Sequence, residues 1–152
     1  MTPDKIRKRI ILDRLDYIDA MLAEIKTLPF DSFDHFSEDR KNIHAAESCL
    51  RRALEALLDV GRHILAKSFS KGISEYKAVA IEPGANGVLQ PEETKLLVKM
   101  AGYRNRMVHF YHEITPQELY LICRNELSDI TAVQKAYATW IHDNPEKIDE
   151  EL

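Results

Sequence analysis

The chain has 152 residues, which supplies one domain with a real core and leaves little room for two. Hydrophobic residues make up 45% of it, the ordinary globular value, so extended disorder is excluded over most of its length. A formal charge of −4 argues against a general polyanion coat, although a basic middle (Arg51, Arg52, Arg62, Lys95, Lys99, Arg104, Arg106) and an acidic end suit one focused anionic ligand.

With only 5 Gly and 6 Pro, placed between periodic segments, the pattern is that of helices. The first helix is predicted from Pro3 to Lys26, capped by Thr2, with Ile11, Leu15, Ile18, Leu22 and Ile25 forming its apolar stripe. Leu28-Pro29-Phe30 ends it. An aromatic connector follows, with a single helical turn started by Ser32. The second and longest helix spans Asp39 to Ser68 and is closed by Gly72, its stripe running through Ile43, Ala46, Leu50, Leu54, Leu57, Leu58 and Leu65. Gly61 within it marks a close helix crossing. A short helix over Ile73–Ala80 then meets Glu82-Pro83-Gly84-Ala85-Asn86-Gly87, the clearest loop signal in the chain.

Pro91 opens the next helix, with Glu92 and Glu93 at the positive end of its dipole. The last helix has the strongest start: Thr115 and Glu118 as a capping box around Pro116, with Ile114 and Leu119 as a staple. It is predicted to run unbroken to His142. Residues 1–143 thus read as one helical bundle and 144–152 as an acidic, frayed tail. Cys49 and Cys123 have no ligand or disulfide spacing and read as reduced core thiols. No secretory h-region or membrane span is recognisable, so a cytoplasmic location and no membrane partner are expected.

The chemistry is concentrated in Arg104-Asn105-Arg106-Met107-Val108-His109-Phe110-Tyr111. An arginine fork binds phosphate oxygens and an imidazole moves protons near neutral pH, the two abilities that metal-free RNA cleavage requires. On an ideal helix Arg104 and His109 differ by about 140° and share no face. Either the helix distorts at its end, or a second copy of the chain completes the site. Asn105 and His109, four apart, do share a face, which would let the amide orient the imidazole. The plain alternative is a helix end whose Arg and His complement the dipole. His109 and His112 have a metal-like spacing, but no further ligand completes a set, so neither metal nor other cofactor is expected.

Arg104, four residues, His109, one residue and Tyr111 match the Arg-X4-His-X-Tyr signature of HepT-like toxins in the HEPN superfamily. The segment Glu47–Leu65 is similar to that family's long second helix, and the resemblance extends over nearly the whole chain. It implies an all-α, antiparallel bundle of four main helices and a short one, homodimeric, with the motif in a cleft between protomers. By carry-over Arg104 and His109 are the catalytic pair of a metal-independent endoribonuclease, and Asn105 and Tyr111 support them. The implied partners are an RNA substrate and a minimal nucleotidyltransferase antitoxin of a two-gene module, which silences such toxins by transferring AMP to the motif tyrosine, here Tyr111. A second reading makes the chain a non-catalytic helical partner that presents Tyr111 to a nucleotidyltransferase.

Overall fold

The computed structural model describes residues 5–109 and 113–150. Seven α-helices appear among them: α1 (Lys8–Lys26), α2 (Phe33–Glu38), α3 (Arg40–Ser68), α4 (Tyr76–Ala85), α5 (Pro91–His109), α6 (Pro116–Asn125) and α7 (Leu127–Asp143). None is long and apolar enough to cross a membrane. The four long helices pack as an antiparallel bundle around α3. α1 runs against it in the opposite sense, so that Arg7 meets the far end of α3 at His63 while Tyr17 reaches back to Arg52. The α3 stripe is completely buried at Leu50, Leu54, Leu57, Leu58 and Leu65, and the α1 stripe at Ile11, Ile18, Leu22 and Ile25.

Local chemistry sets most of the boundaries. Ser32 Oγ accepts the backbone N–H of His35 at 3.1 Å and starts α2, as expected for that connector. Phe30, Phe33 and Phe36 from this stretch gather around the Tyr120 ring, and Tyr120 donates its hydroxyl to the Phe30 carbonyl at 3.0 Å. Asp39 caps α3 through the N–H of Lys41. The helix ends at Ser68, four residues before Gly72, because the Phe69 and Lys71 N–H groups both fold back to the Leu65 carbonyl.

Four boundaries differ from the sequence reading. The chain at Ile6–Arg7 is extended (β1) and pairs in parallel with Ile148–Asp149 (β2), so α1 starts at Lys8; Thr2 and Pro3 lie outside the described residues. The same pairing overturns a frayed acidic end through residue 150. Ile6 and Ile148 are both buried, and Lys8 Nζ lies 2.8 Å from a Glu150 oxygen, so apolar burial and one ion pair outweigh like-charge repulsion. The expected loop at residues 82–85 is the last turn of α4. Pro83 is tolerated there because only one backbone bond is lost, while its carbonyl accepts the N–H groups of Val88 and Leu89. Finally, α6 and α7 are two helices. Glu126 leaves helical geometry and its carboxylate takes the Tyr103 hydroxyl and, at 2.7 Å, Lys99 of α5. No Gly or Pro marks that break; it is imposed by a tertiary partner.

Gly61 does sit at a close crossing, where α3 passes α7: a Cβ there would lie 2.5 Å from the Tyr137 hydroxyl. That hydroxyl is buried without a hydrogen-bond partner among the described residues. Gly61→Ala is therefore expected to destabilise by about 1–2 kcal/mol, overpacking outweighing the gain in helix propensity. Thermal denaturation should show a fall in Tm of about 2–8 °C. Tyr137→Phe removes both the clash and an unsatisfied polar atom, so the double variant should recover most of the loss.

Candidate active site at the end of helix α5

Helix α5 stays regular through His109, which removes distortion within the described helix as a way of bringing Arg104 and His109 together. The two side chains occupy different surroundings. His109 is exposed on the last helical turn and makes no hydrogen bond to any described residue. The Arg104 side chain is only 17% exposed and is held from several directions.

Glu55 of α3 holds one edge of the Arg104 guanidinium: Nε and Nη2 both donate to Oε2, at 3.2 and 2.9 Å. The other Glu55 oxygen accepts from Arg51 Nη1 at 2.6 Å. Asn105 Oδ1 accepts from Arg104 Nη1 at 3.2 Å, so the amide serves the arginine, and the Asn105–His109 contact that the spacing pointed to is not formed. The Tyr76 ring, at the start of α4, lies against the guanidinium with its centroid 4.5 Å from the guanidinium carbon. A guanidinium carries five N–H groups. Three are donated to described residues, leaving one on each terminal nitrogen undonated among them.

Arg106, the other cation of the run, is consumed by the protein. Its terminal nitrogens donate to both Glu118 oxygens at 2.8 and 2.6 Å, and Nη2 also reaches the Glu113 carbonyl. The strong pairing raises its already high pKa further. The Thr115 cap survives, with Oγ1 accepting from the Glu118 N–H at 3.1 Å, but the glutamate side chain that would have closed the box pins α6 to α5 instead.

Glu55 and Tyr76 carried no assigned role in the sequence reading. A signal for Glu55 exists only as a rhythm. Arg51, Glu55, Asp59 and Arg62 recur at three- and four-residue steps and share one face of α3. Which distant cation that face would meet is settled by tertiary packing. Tyr76 had no local signal.

A model of the HepT-like ribonuclease family matches residues 18–136. The chain belongs to that family. It is 32% identical over 113 residues to the tRNA nuclease HepT of Aphanizomenon flos-aquae (strain 2012/KM1/D3), covering 74% of this chain and 76% of that protein. Among solved structures, it superimposes on the tri-AMPylated HEPN toxin of Shewanella oneidensis, solved with its MNT antitoxin, with a TM-score of 0.77 at 21% identity, covering 86% of this chain and 97% of that one. The Bacillus subtilis cytosolic protein YutE, of unknown function, gives 0.74 at 18% identity, covering 92% and 94%. These likenesses show the HEPN-type fold.

Within this HepT-like chain, the fourth residue singled out by the motif, Tyr111, lies outside the described residues, as does His112. A cavity of about 310 Å³ opens beside Met107, between the starts of α3 and α6, walled by Ile43, Ile114 and Leu119 and rimmed by Arg40 and His44. A larger groove of about 740 Å³, at the far end of α6, contains none of the motif residues.

Proposed function

We propose that this chain is the RNA-cleaving toxin of a two-gene toxin–antitoxin module, acting as a homodimer without a metal. The observation that carries this reading is the asymmetry of the motif. Arg104 is pre-set by Glu55 and Asn105 with two donors to spare, while His109 stands exposed some way round an unbroken helix. One protomer therefore offers half of a site, and a second copy facing it supplies the missing half.

In that cleft His109 takes the proton of a ribose 2′-hydroxyl, the 2′-oxygen attacks the adjacent phosphorus, and the bond from phosphorus to the 5′-oxygen breaks. The same imidazole, now an imidazolium, returns the proton to the leaving 5′-oxygen. Arg104 holds the phosphate and offsets the charge that grows on its non-bridging oxygens. No water has to be activated, so the products are a 2′,3′-cyclic phosphate and a 5′-hydroxyl. Tyr111 hydrogen-bonds the phosphate or stacks on a base in the active form, and is the position where a nucleotidyltransferase antitoxin attaches AMP to silence the toxin.

Antitoxin-free protein incubated with tRNA in EDTA is expected to cut it and leave those end groups. Absence of cleavage by protein shown by mass spectrometry to carry no AMP would overturn the assignment. If His109→Ala left toxicity unchanged while Tyr111→Phe abolished modification, the chain would instead be a partner that presents a tyrosine.

A further inference from the structure

The hydrogen bonds to Arg104 leave one motion uncontrolled. Nε and Nη2 converge on a single Glu55 oxygen, so the guanidinium can pivot about that atom, and Asn105 restrains it within its own plane. A restraint against tilting has to come from above or below the plane. The Tyr76 ring supplies it, 4.5 Å from the guanidinium carbon.

The ring is itself braced. Tyr76 donates its hydroxyl to Asp59 Oδ1 at 3.0 Å, one turn along α3 from Glu55. Arg62 pairs with the same carboxylate at 3.2 Å and also lies over the ring, 4.6 Å from its centroid. Arg62 Nη2 donates to the Ser74 carbonyl at 3.0 Å, tying down the segment that leads into α4. Arg62 is thus committed to the protein through Asp59 and the Ser74 carbonyl, whereas Arg104 keeps donors for a ligand. Glu55, Asp59 and Arg62 share one face of α3, so a single helix sets both the edge and the tilt of the arginine.

We propose that Tyr76 is a positioning residue for Arg104: its ring, pinned to α3 through Asp59 and backed by Arg62, fixes the tilt of the guanidinium toward the scissile phosphate. The proposal rests on the reading of Arg104 as the phosphate-holding group. Cation–π contact is strongest where water is excluded, and Tyr76 is half-buried. A misaligned donor costs most where charge develops in the transition state, so the effect belongs in kcat.

Tyr76→Phe keeps the ring face but loses the Asp59 bond that pins it, so it should lower kcat for RNA cleavage about threefold, less than removal of the ring does. Tyr76→Leu should lower kcat about tenfold with KM within about threefold. In an Arg104→Ala background, Tyr76→Leu should bring no further loss, because the residue acts through the arginine. An equal loss in that background, or an unchanged kcat in folded Tyr76→Leu, would overturn the proposal. A second readout is independent of catalysis: the Arg104 Nε–H resonance, assigned from its absence in Arg104→Ala. It should be ring-shifted in wild type and in Tyr76→Phe, and revert in Tyr76→Leu. Should wild type cleave no RNA, the functional reading fails, yet this resonance still decides the clamp. An unshifted wild-type signal overturns it even where the leucine variant does not fold.

Discussion

His109→Ala is expected to lower RNA cleavage by about 10²–10⁴-fold, the contribution of a positioned proton-transfer group, while leaving Tm unchanged within error. The second half of that expectation follows from the structure. His109 is exposed at a helix end and makes no hydrogen bond to a described residue, so its removal leaves no described group unsatisfied. Arg104→Ala should cost about 10²–10³-fold in kcat, the usual loss on removing a preorganised charge-stabilising donor. It should also lower Tm, because Glu55 then loses a partner in a half-buried setting. Mixing the two inactive proteins separates a composite site from a self-contained one. If each site takes Arg104 and His109 from different protomers, heterodimers regain one intact site. About half of randomly exchanged dimers are heterodimers with one of two sites restored, so activity should return to about a quarter of wild type. No recovery after verified subunit exchange would place both groups in a single protomer and sink the shared cleft.

Glu55→Ala is expected to reduce kcat by about 10–100-fold and to destabilise the protein by about 1.5–3 kcal/mol, the range for hydrogen bonds to charged groups. Glu55 takes two donors from Arg104 on one oxygen and one from Arg51 on the other, with a side chain only 23% exposed. Without it, two guanidinium groups face each other across a gap that water reaches only in part, and Arg104 gains rotamers that point away from a phosphate. Glu55→Gln separates geometry from charge. It can still accept at one oxygen, so it should retain more activity than alanine at a similar loss of ion-pair energy. Equal activity in wild type and Glu55→Ala, measured by single-turnover cleavage, would show that Arg104 needs no such support.

How much of this was legible from the sequence depends on how local the deciding interaction is. The stripes of α1 and α3, the Ser32 cap and the Pro91 start depend on residues within one or two turns, and each is where the spacing put it. Three of the errors share a cause at longer range. The α6–α7 break is dictated by Glu126 reaching Tyr103 and Lys99 in another helix. The strand pair at the termini joins Ile6 to Ile148 across the length of the chain. The capping box is opened by Arg106, which takes Glu118 for itself. In each case a short-range rule made a valid local offer, and a distant side chain made a better one.

The motif divides in the same way. Sequence by itself determined the composition of the run from Arg104 to Tyr111, its family and the 140° separation that denies one helix a complete site. Those follow from residue identity and helical period alone. Only the tertiary structure decided which of two neighbouring arginines is available. Arg106 is spent on Glu118, whereas Arg104 is held by Glu55, Asn105 and Tyr76 with donors left over. The physical reason is that charge pairing between helices depends on where side chains from distant segments arrive in space, and helical period has no term for that.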